Sequence, residues 1–255
     1  MAGPLPHTNQ IRQMCEDYID DAKDIISKSL NDLKQSKEYQ FIFRVSLAAD
    51  AVLSELSKTN LKPRLSAARS IVLRIPLLVG LKQISVATIE LRRFCELVFW
   101  SVYFTDHPVE WASFQRSPSS GFVRDINKPI SYGAHREITF YSNYARELMA
   151  LESSGISVES VDSLRQMQEE LSAVVHPGRI AGAKSKVPPF DEVSPDALKK
   201  FGLLQRQVLS HCCILLASFK RRRFDRLQPM QRAHFDWIVG SATEKRIRQA
   251  SFGLP

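Results

Sequence analysis

The fold class is decided by residues 84–105, which read ISVATIELRRFCELVFWSVYFT. This stretch is apolar almost all round and holds only four charged residues, Glu90, Arg92, Arg93 and Glu96. A helix that is apolar on every side is normally buried in the interior of a protein. We therefore expect this stretch to form the central helix of the core.

The segments on either side of this stretch repeat their apolar residues at steps of three and four, which is the period of an amphipathic helix. No segment shows the alternating or β-branched pattern of a strand bounded by turns. The sequence therefore predicts an all-α fold, a single helical bundle that spans residues 1–255. Further helices are predicted at residues 7–33, 38–56, 65–79, 134–151, 158–175, 194–223, 228–239 and 243–250.

Proline, glycine and serine mark the breaks between these helices. Pro76 predicts an interruption or a kink in the helix that contains it. Residues 181–195, AGAKSKVPPFDEVSP, predict a flexible loop. Ser194 is followed by Pro195 and Asp196, which is typical of a helix N-terminus, so the last long helix should begin here.

The composition is that of a globular protein, with 255 residues, 44% of them hydrophobic and 24% charged. This composition excludes collagen-like and wholly disordered chains. The longest stretch without a charged residue, Gln207 to Phe219, has thirteen residues, whereas a membrane span needs about 18–20. The first residues lack the basic and apolar regions of a signal peptide. We expect a cytoplasmic protein that makes no membrane contact.

The net charge of +8 is concentrated near the C-terminus. Residues 220–248 hold nine Lys or Arg against three Asp or Glu, so they supply +6 of that charge. Cations interleaved with aromatic residues suit contact with nucleic acid, although a solvated basic face with aromatics packed on the bundle explains them equally. The sequence thus predicts basic C-terminal helices at 220–250. The candidate nucleic-acid-binding residues are Lys220, Arg221, Arg222, Arg223 and Arg226.

Signatures of the common enzyme classes are absent from the chain. It contains no GxxxxGK[ST], GxGxxG, HExxH or GxSxG pattern, so the usual nucleotide-binding, metalloprotease and hydrolase classes lack support. Its cysteines, Cys15, Cys95, Cys212 and Cys213, have no paired zinc-binding spacing and are expected to be free buried thiols. We expect neither a metal nor a cofactor.

Arg92 and Glu96 are the first candidate site residues. They lie four residues apart on the apolar central stretch, so a helix places them on one side, where they can pair. Charged groups in such surroundings are costly to bury unless they are paired. The pair is either a structural ion pair or part of the lining of a polar cleft.

His176 and Arg179 are the second candidates. His176 lies at the end of a predicted helix, where the helix dipole favours its cation, so it can serve as a simple cap. Its ordinary pKa also suits proton transfer near neutral pH. Arg179, three residues later, could hold an anion such as a phosphate beside it.

Two sequence stretches resemble the HEPN-like helical proteins of bacteria, LRRFCELVFWSVYFTDHPVEW at residues 91–111 and LSAVVHPG at residues 171–178. The resemblance spans roughly Phe41 to Phe219 and includes families found among phage-defence and toxin systems. It implies a helical bundle that forms a homodimer. The active members are metal-independent RNA endonucleases whose motif is an arginine, four to six residues, and then a histidine.

The motif spacing is met at Arg206 and His211, within the predicted helix at 194–223. Residues 169–171, which lie at the same spacing before His176, contain no arginine. Residues five apart on a regular helix point about 140° apart. Arg206 and His211 are therefore the second candidate site.

The resemblance implies a defence or toxin-type protein that binds RNA and acts as a metal-independent endoribonuclease. At such a site His176 would be the general acid or base, Arg179 and Arg92 would hold the phosphate, and Glu96 would orient an arginine. The alternative is a catalytically inactive helical interaction module in a defence system, with a partner protein from that system. The many aromatic residues of the central stretch also favour a homodimer.

Overall fold

The structure of the protein is a computed structural model. It describes residues 34–58, 62–109, 134–151, 155–175 and 194–240, and the single positions 16, 20, 27, 31 and 243. Within these helices, the side chains at 62–64, 134–138, 155, 173–175 and 221–222 are not described. Residues 181–193 of the loop predicted at 181–195 lie outside the described residues, as do most of the predicted helices at 7–33 and 243–250.

Every regular element among the described residues is a helix, which confirms the all-α prediction. None of these helices is both long enough and apolar enough to cross a membrane. The helices are α1 (Lys37–Leu56), α2 (Lys62–Gly80), α3 (Ile84–Asp106), α4 (Ala134–Leu151), α5 (Gly155–Val175), α6 (Pro195–Phe219), α7 (Arg221–Phe224) and α8 (Pro229–Val239).

Helix α3 is the centre of the bundle, as its sequence predicts. It contacts α2, α4, α5 and α6. Of its five aromatic side chains, Phe94, Phe99, Tyr103 and Phe104 are buried and Trp100 is half-buried. Burial inside one chain accounts for these aromatics, so they no longer argue for a homodimer.

Helices α1 and α2 form an antiparallel pair. The hydroxyl of Tyr39, near the start of α1, donates to the carbonyl of Pro76, near the end of α2, at 3.1 Å. Toward the other end of the pair, Arg69 Nε on α2 donates to Asp50 Oδ1 on α1 at 2.6 Å. Of the interruption or kink predicted at Pro76, the interruption is wrong, because α2 continues to Gly80. Pro76 is buried in this pairing, and tertiary packing overrides its low helix propensity.

Helix α6 packs against α1, α5 and α8 and closes the bundle. It begins as predicted, with the Ser194 side chain accepting from the Ala197 amide at 3.2 Å. Inside the α1–α6 interface, Gln205 Nε2 donates to Ser46 Oγ at 2.7 Å, and both residues are buried. Gly202 lets the backbones approach, since a Cβ there would meet the Phe41 side chain at 3.0 Å.

Two helix ends rest on residues with positive φ. Lys82, just after α2, has a φ of 58°. Its amide donates to the Val79 carbonyl and the Gln83 amide donates to the Leu78 carbonyl, both at 2.9 Å, which is the Schellman pattern. At the end of α8, Gly240 has a φ of 88°, a conformation that glycine adopts readily.

The last long helix ends four residues earlier than predicted. Helix α6 stops at Phe219, Lys220 forms its C-cap, and the four residues of α7 follow as a separate turn. Phe224 of α7 is buried against Phe235 of α8, with their ring centroids 4.8 Å apart. This contact explains the break, because a straight helix would not bring Phe224 under α8.

Candidate functional site

Arg92 and Glu96 pair as their spacing predicts. Arg92 Nε donates to Glu96 Oε1 at 3.0 Å, and the two side chains are 19% and 22% exposed. Burial raises the pKa of the Glu96 carboxyl above its ordinary value, and the guanidinium of Arg92 opposes that change. Arg92 donates to one oxygen of the carboxylate, so the two charges are paired within α3, as both explanations of the pair require.

The Arg92–Glu96 pair lies on the side of α3 that faces α4. Tyr103 follows Glu96 by two helical turns, so both point in nearly the same direction. The Tyr103 ring contacts the rings of Phe140, Tyr141 and Tyr144 on α4 at centroid distances of 5.4, 4.9 and 5.1 Å. The pair thus occupies the same side of α3 as an aromatic interface.

His176 and Arg179 lie outside the described residues. The structure therefore gives no position for them relative to Arg92 and Glu96. Their assignment as a general acid or base and a phosphate-binding residue stays a prediction from the sequence.

Arg206 holds the C-terminal end of α8. Its Nη2 donates to the carbonyl of Trp237 at 2.7 Å, and its Nε donates to the carbonyl of Ile238 at 3.4 Å. Its guanidinium carbon also lies 5.2 Å from the centroid of the Trp237 ring. The last carbonyls of a helix have no partner within the helix, so Arg206 acts as a capping residue for α8.

His211 points toward a different part of the bundle. It shares a side of α6 with Ser218, two turns later, whose hydroxyl oxygen lies 2.6 Å from that of Ser157 on α5. The buried Nδ1 atom of His211 has no hydrogen-bond partner among the described residues. Burial lowers the pKa of His211. The structure thus separates Arg206, which contacts α8, from His211, which lies on the α5 side.

The cationic side chains of residues 220–226 differ in their exposure and contacts. The Lys220 Nζ lies 4.4 Å from the centroid of the Phe219 ring. Arg223 is half-buried and Arg226 is exposed, while the side chains of Arg221 and Arg222 are not described. The aromatics Phe224 and Phe235 are buried in the core. Of the two explanations for those aromatics, packing onto the bundle is therefore the one that holds.

A second charged network on α3 extends to α2. The buried carboxylate of Glu90 accepts from Arg74 Nη2 at 3.1 Å and from Arg93 Nη1 at 3.0 Å. One carboxylate thus serves two guanidiniums. The sequence placed Glu90 and Arg93 near Arg92, but nothing in it indicated the partner Arg74 on another helix.

Four large apolar side chains are half-exposed on the outer side of the α1–α2 pair, which the sequence did not predict. Their exposed fractions are 48% for Phe43, 46% for Leu47, 46% for Leu73 and 52% for Leu77. Each helix supplies two of them, four residues apart and hence on one side. We call these four residues the α1–α2 face.

The two halves of the α1–α2 face lie side by side. Phe43 is one turn after Tyr39 and Leu73 is nearly one turn before Pro76, and Tyr39 contacts Pro76 directly. On one side of this line of contact lies the buried core. Exposed residues next to the line therefore lie on its other side, which faces outward, and form one surface across both helices.

An arginine stands at the outer edge of each half of the face. Arg44 follows Phe43, and its guanidinium carbon lies 4.3 Å from the centroid of the Trp237 ring. Arg74 follows Leu73 and donates to Glu90. Both helices thus present an apolar residue, an arginine, and a leucine three residues later.

In the part of the chain that the structure describes, no group of three or more His, Cys, Asp or Glu side chains could hold a metal ion. Cys95, Cys212 and Cys213 are free and buried, as predicted. Burial raises the pKa of Cys213 to about 12, so this thiol stays protonated and unreactive. Cys15 lies outside the described residues.

Comparisons with known proteins give no relative for this chain. No family model matches the sequence, no curated protein is similar to it, and no solved structure is similar to its fold. The HEPN-like resemblance therefore stands on its two sequence stretches.

Proposed function

We propose that this protein is a helical interaction module that binds another macromolecule through the α1–α2 face. The observation that carries this proposal is the group of four half-exposed apolar residues, Phe43, Leu47, Leu73 and Leu77. Half of a leucine or phenylalanine side chain offers roughly 90 Å², so the face presents on the order of 350 Å² of apolar surface. The largest apolar patch of a monomeric protein has about this size and is often functional.

The candidate residues that the structure describes make contacts of a structural kind, which suits an interaction module. Arg206 caps α8, and Arg92 is paired with Glu96. His211 is half-buried on a side of α6 away from Arg206. A catalytic site brings an acid or base and an anion-binding group to one reacting atom, and these contacts do not supply such a convergence.

Site-specific photocrosslinking in producing cells tests the docking function. The photoreactive amino acid p-benzoylphenylalanine replaces Phe43 in one variant and Leu203 in another. Leu203 is a matched control, because it is 49% exposed but lies on α6. We expect specific covalent adducts from position 43 and none from position 203. Equal adduct patterns from both positions would contradict the docking function.

RNA binding with metal-independent cleavage is the second candidate function. It is favoured by the exposed Arg226 and the half-buried Arg223, which lie just after the end of α6. In this function His176 is the leading general acid or base, and Arg206 with His211 is the rival site. Cleavage of an RNA oligonucleotide in the presence of a chelator, and its loss in His176→Ala, would establish it.

The remaining sequence-based predictions belong to the same proposal. A cytoplasmic protein in a defence or toxin system, with a partner protein from that system, suits a docking module. The homodimer rests on the HEPN-like resemblance, since four of the five α3 aromatics are buried. Light scattering that gives the mass of one chain, 29.0 kDa, would exclude the homodimer.

A further inference from the structure

We infer that the α1–α2 face receives an acidic amphipathic helix of a partner protein. The apolar stripe of that helix would cover Phe43, Leu47, Leu73 and Leu77, and its flanking carboxylates would meet the arginines at the edges. This inference rests on the proposed docking function and specifies the chemistry of the partner.

The shape of the face suits a single helix. Two antiparallel helices leave a shallow groove along their line of contact, and the apolar residues on both banks are spaced one turn apart. A third helix can lie in such a groove with residues at positions i, i+3 or i+4, and i+7 pointing into it. The face covers about two turns of each helix, so a partner helix of about three turns would bury it.

The positive charge at the edges of the α1–α2 face favours a partner helix with negative charge. Arg44 contacts an aromatic ring, and no carboxylate among the described residues pairs with it. Arg74 shares the single carboxylate of Glu90 with Arg93, so this cluster keeps a net positive charge. Both edges of an apolar groove are therefore positive, and carboxylates on the two flanks of a partner helix would complement them.

A second copy of the chain or an RNA fits this face less well. Two copies would bring two sets of edge arginines together, on chains that each carry a net charge of +8. An RNA would be drawn to the arginines, but three of the four apolar residues are leucines, which neither stack on bases nor pair with them. An acidic helix satisfies both the apolar surface and the positive edges.

Two synthetic peptides test the inference directly. The first is a helical peptide of about four turns with leucines along one stripe and glutamates on both flanks. The second has lysine in place of every glutamate. Fluorescence anisotropy of the labelled peptides measures binding to the whole chain at about 0.05 M and 0.5 M salt. We expect the acidic peptide to bind about tenfold or more tightly than the lysine peptide at low salt.

Variants of the face locate the binding. Leu77→Glu should weaken binding of the acidic peptide about tenfold or more, whereas Leu203→Glu, on α6, should leave it unchanged. Arg74→Gln should reduce both the affinity and its dependence on salt. Arg146→Gln is the matched control, because Arg146 on α4 is also exposed and paired with a carboxylate, that of Asp162. Circular dichroism of each variant shows whether it is folded.

Some outcomes would contradict the acidic helix alone, and others would contradict the docking function as well. Equal binding of both peptides, or binding that Leu77→Glu does not weaken, overturns the acidic helix. A wild-type dimer that Leu77→Glu dissociates also overturns it, because a second copy then covers the face. In both cases specific crosslinks from position 43 would keep the docking function. Absence of peptide binding together with absence of those crosslinks overturns both.

Discussion

Replacing Arg206 by alanine should lower the free energy of unfolding by about 2 kcal/mol, because the end of α8 loses its capping group. The hydrogen bond to the Trp237 carbonyl at 2.7 Å is short and has a charged donor, and such bonds contribute about 1.5–3 kcal/mol. The bond to Ile238 at 3.4 Å is weak. The contact with the Trp237 ring adds about 0.5–1 kcal/mol, and the lower limits of the two contributions together give the loss of about 2 kcal/mol.

Thermal unfolding followed by circular dichroism checks this value. For a chain of this length, a loss of about 2 kcal/mol corresponds to a decrease in Tm of about 4–8 °C. Arg206→Lys, which keeps the charge but loses the planar pair of donors, should fall between wild type and alanine. Arg226→Ala is the control, because Arg226 is exposed, and its Tm should not change.

The opposite pattern would refute the capping role. If Arg206→Ala keeps the wild-type Tm but abolishes cleavage of RNA, Arg206 belongs to the rival active site. A double-mutant cycle with Trp237→Leu refines the result, since two residues in contact should show a coupling energy.

Three further predictions concern stability. Gly202→Val should destabilise the chain by about 1–3 kcal/mol in urea unfolding, because even a Cβ meets Phe41 at 3.0 Å and Ile42 at 3.1 Å; unchanged stability would mean that α1 and α6 pack more loosely. Lys82→Gly should raise Tm, because relief of the strain at a φ of 58°, about 1–2 kcal/mol, outweighs the greater freedom of glycine in the unfolded chain, about 0.4–1 kcal/mol. Burial lowers the pKa of His211 below its ordinary 6.5, so the unfolded chain binds the proton more readily, and stability should fall as the pH drops below 6.5. His211→Gln should remove that part of the pH dependence, and an unaltered profile would contradict it.

The helices were predictable where the signal is local. Residues 134–151 were predicted as a helix with the bounds that α4 has, and Ser194 was predicted as the cap it proves to be. The end of α6 at Phe219 was not, since it depends on the contact between Phe224 and Phe235. The turn at Lys82 was also hidden, because a lysine gives no sign of positive φ.

In the candidate site, contacts within one helix were predictable from the sequence, and contacts between helices were not. The pairing of Arg92 with Glu96 follows from a spacing of four residues on one helix. The capping role of Arg206 depends on Trp237, 31 residues away, and no pattern in the sequence joins them. The α1–α2 face was missed because Phe43 and Leu47 have the same residue types as core positions. Whether such residues are buried or exposed depends on where the other helices pack, and no described helix covers Phe43 and Leu47.

Trp237 keeps two cations from different helices close together. Arg44 of α1 and Arg206 of α6 both lie over its ring, at 4.3 and 5.2 Å from the centroid. The two charges are therefore under about 10 Å apart. This distance is close to the Debye length of about 8 Å in physiological salt, so the charges still repel each other. The negative face of the indole offsets their mutual repulsion. Loss of the ring would expose that repulsion as well as leave a cavity, so Trp237→Leu should be partly rescued by high salt, as an ordinary core truncation would not be.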